Sequence, residues 1–172
     1  MPPPLPLAFE DALRQYEGLL RRVARLYCAD ADDQQDLYQE TLVQLWRAWP
    51  SYEGRAQRST WVYRVALNVA IAQQRQRNRR PATGPLDQAP VQQLAAPAAP
   101  GPDADDLTRL YQAIEHLSDV DKALVLLRLE DRPDQEIAEI LGITPNNVRV
   151  KMHRALNKLR ELMAYQGGAK TA

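Results

Sequence analysis

The sequence predicts an all-α protein: two small helical domains joined by a flexible Pro/Ala-rich linker, the C-terminal one a helix-turn-helix. Three observations predict it. Apolar residues recur at three- and four-residue spacing in both halves, and no run alternates with a period of two. Between the halves, PATGPLDQAPVQQLAAPAAPGPDA (residues 81–104) is dense in Pro and Ala, almost uncharged and without helical or strand period. Near the C-terminus a short helical segment is followed by Gly-Ile-Thr-Pro and a basic helix. At about 3.1 Å per residue for Pro-rich chain, the linker can span several tens of ångströms. The expected division is 1–80, 81–104, 105–165 and a tail of 166–172.

The first helix is expected over Phe9 to Cys28, where Phe9, Ala12, Leu13, Tyr16, Leu19, Leu20, Val23, Leu26 and Tyr27 recur at helical spacing. The second is expected to start near Asp32 or Asp33, because acids suit a helix N-terminus, and to end before Pro50. Its apolar stripe is Tyr38, Thr41, Leu42, Leu45, Trp46 and Trp49. The third is expected from Ser59 or Thr60 toward Arg80, stopped by Pro81, burying Trp61, Val62, Val65, Ala66, Val69 and Ala72. Tyr63, Leu67 and Ile71 occupy the rest of its circumference, which makes it central in its bundle.

In the second half Leu107 to Leu117 reads as one helix. Ser118-Asp-Val-Asp121 is a cap signal opening an apolar helix to about Glu130. Pro133 suits the first turn of a helix that Gly142 ends. Thr144 is placed to cap the last helix, with Pro145 at its first position. Val148, Met152, Ala155, Leu156, Leu159, Leu162 and Met163 form its apolar side.

Net charge is zero, so bulk charge predicts no partner, but the charges are segregated. From Asp30 to Glu40 there are Asp30, Asp32, Asp33, Asp36 and Glu40 with no base. From Arg55 to Arg80 there are Arg55, Arg58, Arg64, Arg75, Arg77, Arg79 and Arg80 with no acid. That pattern suits one face for a protein and another for a polyanion. Cys28 is the sole cysteine and the histidines, His116 and His153, lie far apart. This argues against an intrachain disulfide and a metal site, and no cofactor is expected. There is no phosphate-cradling Gly loop or nucleophile–base pair, so an enzyme is not expected. No signal-peptide pattern and no apolar run near the roughly 20 residues of a membrane span occur, so a cytoplasmic protein without membrane insertion is expected.

The exposed side of the last helix carries the sharpest signal. Asn146, Asn147, Val150, Arg154 and Asn157 face away from the apolar stripe, with Arg149, Lys151 and Lys158 flanking it. Asn bonds adenine edges, Arg bonds guanine, and an exposed Val touches a thymine methyl. Flanking cations and the free N–H groups of the first turn suit phosphates. A solvated basic face is the plainer reading, but the helix-turn-helix context favours DNA. On the second helix, Asp36, Gln39, Glu40, Val43 and Arg47 lie opposite the stripe. Physics alone reads this as a solvent face, with Val43 as a hint of protein contact. The third helix shows a polar strip of Arg64, Asn68 and Arg75. The loop PSYEGRAQR offers Tyr52, Gly54, Arg55, Gln57 and Arg58, an aromatic with cations that can hold an unstacked base, though a solvated turn is the plainer reading.

Taken in order, DDQQDLYQETLVQLWRAW, STWVYRVALNVA and DQEIAEILGITPNNVRVKMHRALNKLRELM resemble the signatures of extracytoplasmic-function sigma factors, small bacterial initiation factors of RNA polymerase. The resemblance covers nearly all the chain outside linker and tails, and implies sigma region two, a linker and sigma region four. It implies a polymerase contact at Asp36, Gln39, Glu40, Val43 and Arg47. It implies minus-ten DNA contacts, including a flipped base, at Tyr52, Arg55, Gln57, Arg58, Arg64, Asn68 and the Arg75 to Arg80 tail. It implies minus-35 duplex contacts at Thr144, Asn146, Asn147, Arg149, Val150, Lys151 and Arg154. The implied partners are bacterial core RNA polymerase, double- and single-stranded promoter DNA, and an anti-sigma factor of the kind that restrains many such proteins. Departures stand at Arg58, a usually apolar position, at Pro133-Asp134 in place of a capping Ser, and at Val150-Lys151 in place of a small polar residue and Arg. The competing reading is a helix-turn-helix regulator that binds operators without polymerase.

Overall fold

The computed structural model describes residues 7–79, 109–110 and 112–168. The expected linker, Arg80 and the start of the Leu107 helix lie outside the described residues, as does the end of the tail. The chain divides into two compact units, Met1–Leu86 and Asp87–Ala172. Among the described residues there is no strand.

The first unit is built from α1 (Leu7–Tyr27), α2 (Ala31–Ala48), a 3-10 turn (Trp49–Ser51) and α3 (Arg58–Arg79). Each α-helix packs on the other two. The helix α2 begins before Asp32, because the Asp30 carboxylate accepts from the backbone N–H of Asp32 at 2.9 Å and of Asp33 at 3.2 Å. Gln34 Nε2 donates to the Cys28 carbonyl at 3.0 Å and so ties the α1–α2 turn to α2.

The core of this unit gathers Phe9, Leu19, Leu20 and Val23 of α1, Leu37 and Leu45 of α2, and Val62, Tyr63, Ala66, Leu67 and Ala70 of α3. The expected α3 face is displaced. Trp61, Val65 and Val69 are half-buried and Ala72 is exposed, whereas Thr60, Tyr63, Leu67 and Ala70 are buried. The cause is that α3 meets both α1 and α2, so its buried arc is centred between two neighbours. On α2 the buried line is Leu37, Thr41 and Leu45, with Tyr38, Leu42, Trp46 and Trp49 half-buried along its side.

The displaced Trp61 has another task. It joins Phe9, Trp46, Trp49 and Tyr52 in an aromatic cluster under the α2–α3 loop. Phe9 meets Trp49 edge-on at 5.0 Å, Trp49 meets Trp61 at 5.9 Å, and Tyr52 meets Trp61 at 5.1 Å between centroids.

The second unit has α4 (Asp119–Leu129), α5 (Asp134–Leu141) and α6 (Pro145–Gly168), preceded by helical residues 109–110 and 112–115. Ser118 Oγ accepts from the Asp121 N–H at 3.3 Å, the cap expected there, and donates to Asp121 Oδ2 at 2.6 Å. At the far end of α4, Asp131 takes φ 54°, with its N–H on the Arg128 carbonyl and the Arg132 N–H on the Leu127 carbonyl. That is a Schellman stop with Asp in the left-handed place usually given to Gly. Pro133 stands one position before α5, as its N-cap, rather than inside the first turn. Gly142 ends α5 at φ 66°, and Thr144 Oγ1 accepts from the Asn147 N–H at 3.2 Å to start α6.

Helices α4 and α5 both pack on α6, burying Val148, Met152, Ala155 and Leu159. Leu156, expected in that stripe, is 38% exposed, and Leu162 and Met163 are half-buried. Leu156 lies at the margin of the stripe.

Candidate nucleic-acid interface

Three surfaces carry the sequence-derived candidates, two on the first unit and one on the second. On α2, the 3.6-residue period brings Asp36, Gln39, Glu40, Val43 and Arg47 to one side, and all five are exposed. Val43 is 41% exposed between the acids and Arg47. Glu40 Oε1 accepts from Gln44 Nε2 at 2.7 Å, which holds one acid in place while it stays exposed. The opposite side of the same helix lies in the core through Leu37, Thr41 and Leu45, so the acidic face is held on a rigid support.

The second surface joins the α2–α3 loop to α3. Gly54 takes φ 72°, the left-handed turn for which Gly has no steric penalty. Arg55, Gln57 and Arg58 are exposed around it. Arg55 Nη2 pairs with Glu53 Oε2 at 2.6 Å. The Arg58 guanidinium sits 5.7 Å from the Trp49 ring centroid, a cation–π contact that accounts for a charged residue at this position. Tyr52 is half-buried: its ring lies on Trp49 and Trp61, and its hydroxyl donates to the Ala56 carbonyl at 2.9 Å. It shapes the loop as well as lining it. Along α3, Arg64, Asn68 and Arg75 share one strip, with Asn68 and Arg75 exposed and Arg64 half-buried.

Arg77, from the same basic tail, is turned the other way. It pairs with Asp33 and lies 3.9 Å from the Cys28 sulfur. The Cys28 thiol is buried, and burial pushes its pKa up against the opposing pull of Arg77.

The third surface is the outer side of α6. Asn146, Asn147, Arg149, Val150 and Arg154 are exposed and Lys151 is half-exposed. Thr144 is exposed too, but its hydroxyl oxygen is the helix cap. The inner side is held by Val148, fully buried, and Met152. Val150 keeps 41% of its surface open among polar groups, as a thymine-methyl contact requires. Arg149 is tied through Nε to Asp134 Oδ2 at 3.1 Å, and Asp134 also accepts from Arg128. Sequence reasoning missed Asp134: helical periodicity relates residues within one helix, and this carboxylate joins three. Among the described residues no group of His, Cys, Asp and Glu could hold a metal ion, and no helix is long and apolar enough to cross a membrane.

Comparison with known proteins converges on one family. The family profile of Sigma-70 region 2 matches residues 12–80 and that of Sigma-70 region 4 matches residues 107–159. The chain is 31% identical over 160 residues to the RNA polymerase sigma-E factor of Streptomyces coelicolor, covering 90% of this chain and 85% of that protein. It is 28% identical to the ECF RNA polymerase sigma factor SigX of Bacillus subtilis, over 78% of this chain and 72% of that one. In fold it resembles the sigma factor RpoE solved with the anti-sigma factor NepR from Bartonella quintana, with a TM-score of 0.69 and 22% identity over 91% of this chain and 97% of the other. It also resembles CnrH solved with the cytosolic domain of CnrY, with a TM-score of 0.66 and 21% identity over 92% and 88% of the two chains.

Proposed function

The chain belongs to the extracytoplasmic-function sigma factors of RNA polymerase, and from that premise we propose how its surfaces divide the work of promoter-specific transcription initiation. Residues 1–80 bind core RNA polymerase and the minus-ten element, residues 105–165 read the minus-35 element, residues 81–104 link them and residues 166–172 form a tail. The observation that carries this reading is the pairing, within one three-helix unit, of an exposed acidic face on α2 with a basic surface on the loop and α3 that carries no acid from Arg55 to Arg79.

In this reading Asp36, Gln39, Glu40, Val43 and Arg47 meet polymerase. Charge complementarity there sets partner choice and speeds encounter, and Val43 supplies apolar area. Polymerase holds DNA through phosphates without regard to sequence, and the factor adds base readout. Asn146, Asn147, Val150 and Arg154 meet base edges in the minus-35 major groove, while Thr144, Arg149 and Lys151 serve base or phosphate positions at its rim. At the minus-ten element Tyr52, Arg55, Gln57 and Arg58 surround an extruded base, and Arg64, Asn68 and Arg75 hold the neighbouring strand. Extrusion costs a few kcal/mol. Contacts to the base, with stacking worth about 1–3 kcal/mol where a ring face is available, offset that cost.

The protein acts in this account by binding rather than by catalysis, in the cytoplasm where polymerase works. An anti-sigma protein that covers the polymerase or DNA surfaces is its natural restraint. The reading of a polymerase-independent regulator is not favoured, because such a protein has no use for the α2 face and the capture loop. The test is core-polymerase binding together with permanganate reactivity of promoter thymines. Asp36→Arg is expected to abolish polymerase binding, and Arg58→Ala to leave polymerase binding intact while reducing strand opening. Unchanged polymerase binding by Asp36→Arg overturns the α2 assignment.

A further inference from the structure

The helix preceding the turn starts with a carboxylate shared by two guanidinium groups. Asp134, the first residue of α5, accepts from Arg128 near the end of α4 and, through Oδ2, from Arg149 Nε at 3.1 Å on α6. Its side chain is 26% exposed, against 71% for Arg149. The bond to Arg149 uses Nε alone. The two terminal nitrogens, which make the forked contacts of Arg to guanine or phosphate, take no part in that bond, and the side chain as a whole is 71% exposed. The ion pairs with both arginines hold the Asp134 carboxyl below the usual range, so it remains a charged acceptor at any neutral pH.

We propose that Asp134 is a specificity-determining positioning residue for the upstream promoter element: by holding Arg149 through Nε it sets the direction in which that guanidinium meets DNA. The inference rests on the reading of α6 as the minus-35 recognition helix. A free Arg side chain loses rotamer entropy when it docks and reaches many acceptors, phosphates included. Held by Asp134, Arg149 meets one position at lower entropic cost, and the carboxylate cancels one of the two local positive charges. Loss of the carboxylate therefore trades selectivity for charge-driven binding.

The experiment uses the full chain with core polymerase, on a promoter found by transcript-start mapping and on copies with single upstream base changes. The readout is the ratio of initiation on the native element to that on the altered ones. Arg149→Ala is expected to lower the ratio at one position by about five-fold or more, the discrimination carried by one good base contact. Asp134→Asn is expected to lower it at the same position while strengthening binding to unrelated duplex at low salt. The double variant is expected to match Arg149→Ala alone. Arg128→Ala removes the other ion pair but keeps the Arg149 bond. It is expected to preserve the ratio even where it lowers melting temperature, which separates positioning from folding.

If Arg149→Ala lowers the ratio and Asp134→Asn does not, the positioning role is overturned and the recognition helix stands. If the double variant falls well below Arg149→Ala, Asp134 acts by another route and the inference fails. If neither Arg149→Ala nor Asn146→Ala moves the ratio, the reading of α6 itself is wrong.

Discussion

Arg77, two residues before the end of α3 at Arg79, meets Asp33 in the first turn of α2 edge to edge: Nη1 donates to Oδ2 at 2.8 Å and Nη2 to Oδ1 at 2.5 Å. This forked pair ties the proposed DNA-facing helix to the proposed polymerase-facing helix, beside the Cys28 sulfur at the end of α1. Of the basic tail, Arg75 and Arg79 remain outward.

The pair is partly open to solvent, so its weight is modest despite its geometry. Arg77→Ala is expected to lower the stability of the first unit by about 1 kcal/mol, read as a drop in urea midpoint. The buried thiol reports the same event. Native Cys28, its pKa raised by burial, is expected to resist alkylation at neutral pH, and Arg77→Ala to speed labelling by loosening the α1–α2–α3 junction. Equal labelling rates in both proteins contradict a locking role for Arg77.

Asp134 gives the second unit a defined response to acid. Its folded pKa lies below the ordinary 3.8, chiefly through the hydrogen bond from Arg128 and then that from Arg149. A depressed carboxylate contributes stability that is complete above the unfolded value and is lost as pH falls through the folded one. The stability gap between the native chain and Asp134→Asn is therefore expected to be constant from pH 5 to 8, on the order of the plateau above the carboxylate range, and to close below about pH 4. Urea melts across that range check it; a gap that does not narrow at all as pH falls below about 4 assigns the effect to packing.

The turn between α5 and α6 rests on two local devices. At Gly142, φ 66°, an added Cβ meets nothing within 4 Å, so Gly142→Ala carries backbone strain alone, about 1–2 kcal/mol. Thr144→Ala removes the α6 cap and is expected to cost about 1 kcal/mol. Thermal melts of the two variants test both figures, and Gly142→Ala is not expected to change base preference in the folded protein.

Base readout and phosphate contact on α6 are separable by salt. Asn146→Ala and Arg154→Ala are each expected to relax preference at one upstream position by about 1–3 kcal/mol. Lys151→Ala is expected to weaken all sequences alike and to lower the salt slope of binding by about 1. Titrations at several salt concentrations check this, and unchanged upstream selectivity in the Asn146→Ala, Arg154→Ala double variant contradicts the groove assignment.

What the sequence made legible follows from locality. Thr144, Pro145 and Gly142 signal the turn within a few residues, and the structure has the cap and the left-handed stop where those residue types call for them. The exposed side of α2 was readable because one helix with one buried line leaves an unambiguous opposite face. The buried arc of α3 was not, since two neighbours share it and apolar residues nearly encircle the helix. Nor was the start of α2, where Asp30 rather than Asp32 or Asp33 caps the helix. The pairs Asp33–Arg77 and Asp134–Arg149 join residues 44 and 15 apart in sequence, and no helical period connects them. The aromatic cluster that holds the α2–α3 loop is hidden for the same reason: Phe9 and Trp61 belong to different helices.

The most direct measurement is transcription in vitro. Purified protein and bacterial core RNA polymerase are incubated with fragmented genomic DNA from the source organism, and transcript starts are mapped with and without the factor. The account predicts new starts that share two upstream motifs at fixed spacing, lost with Asp36→Arg. No new starts, together with no binding to core polymerase and with duplex binding by the protein alone, contradict it and favour a regulator that works without polymerase.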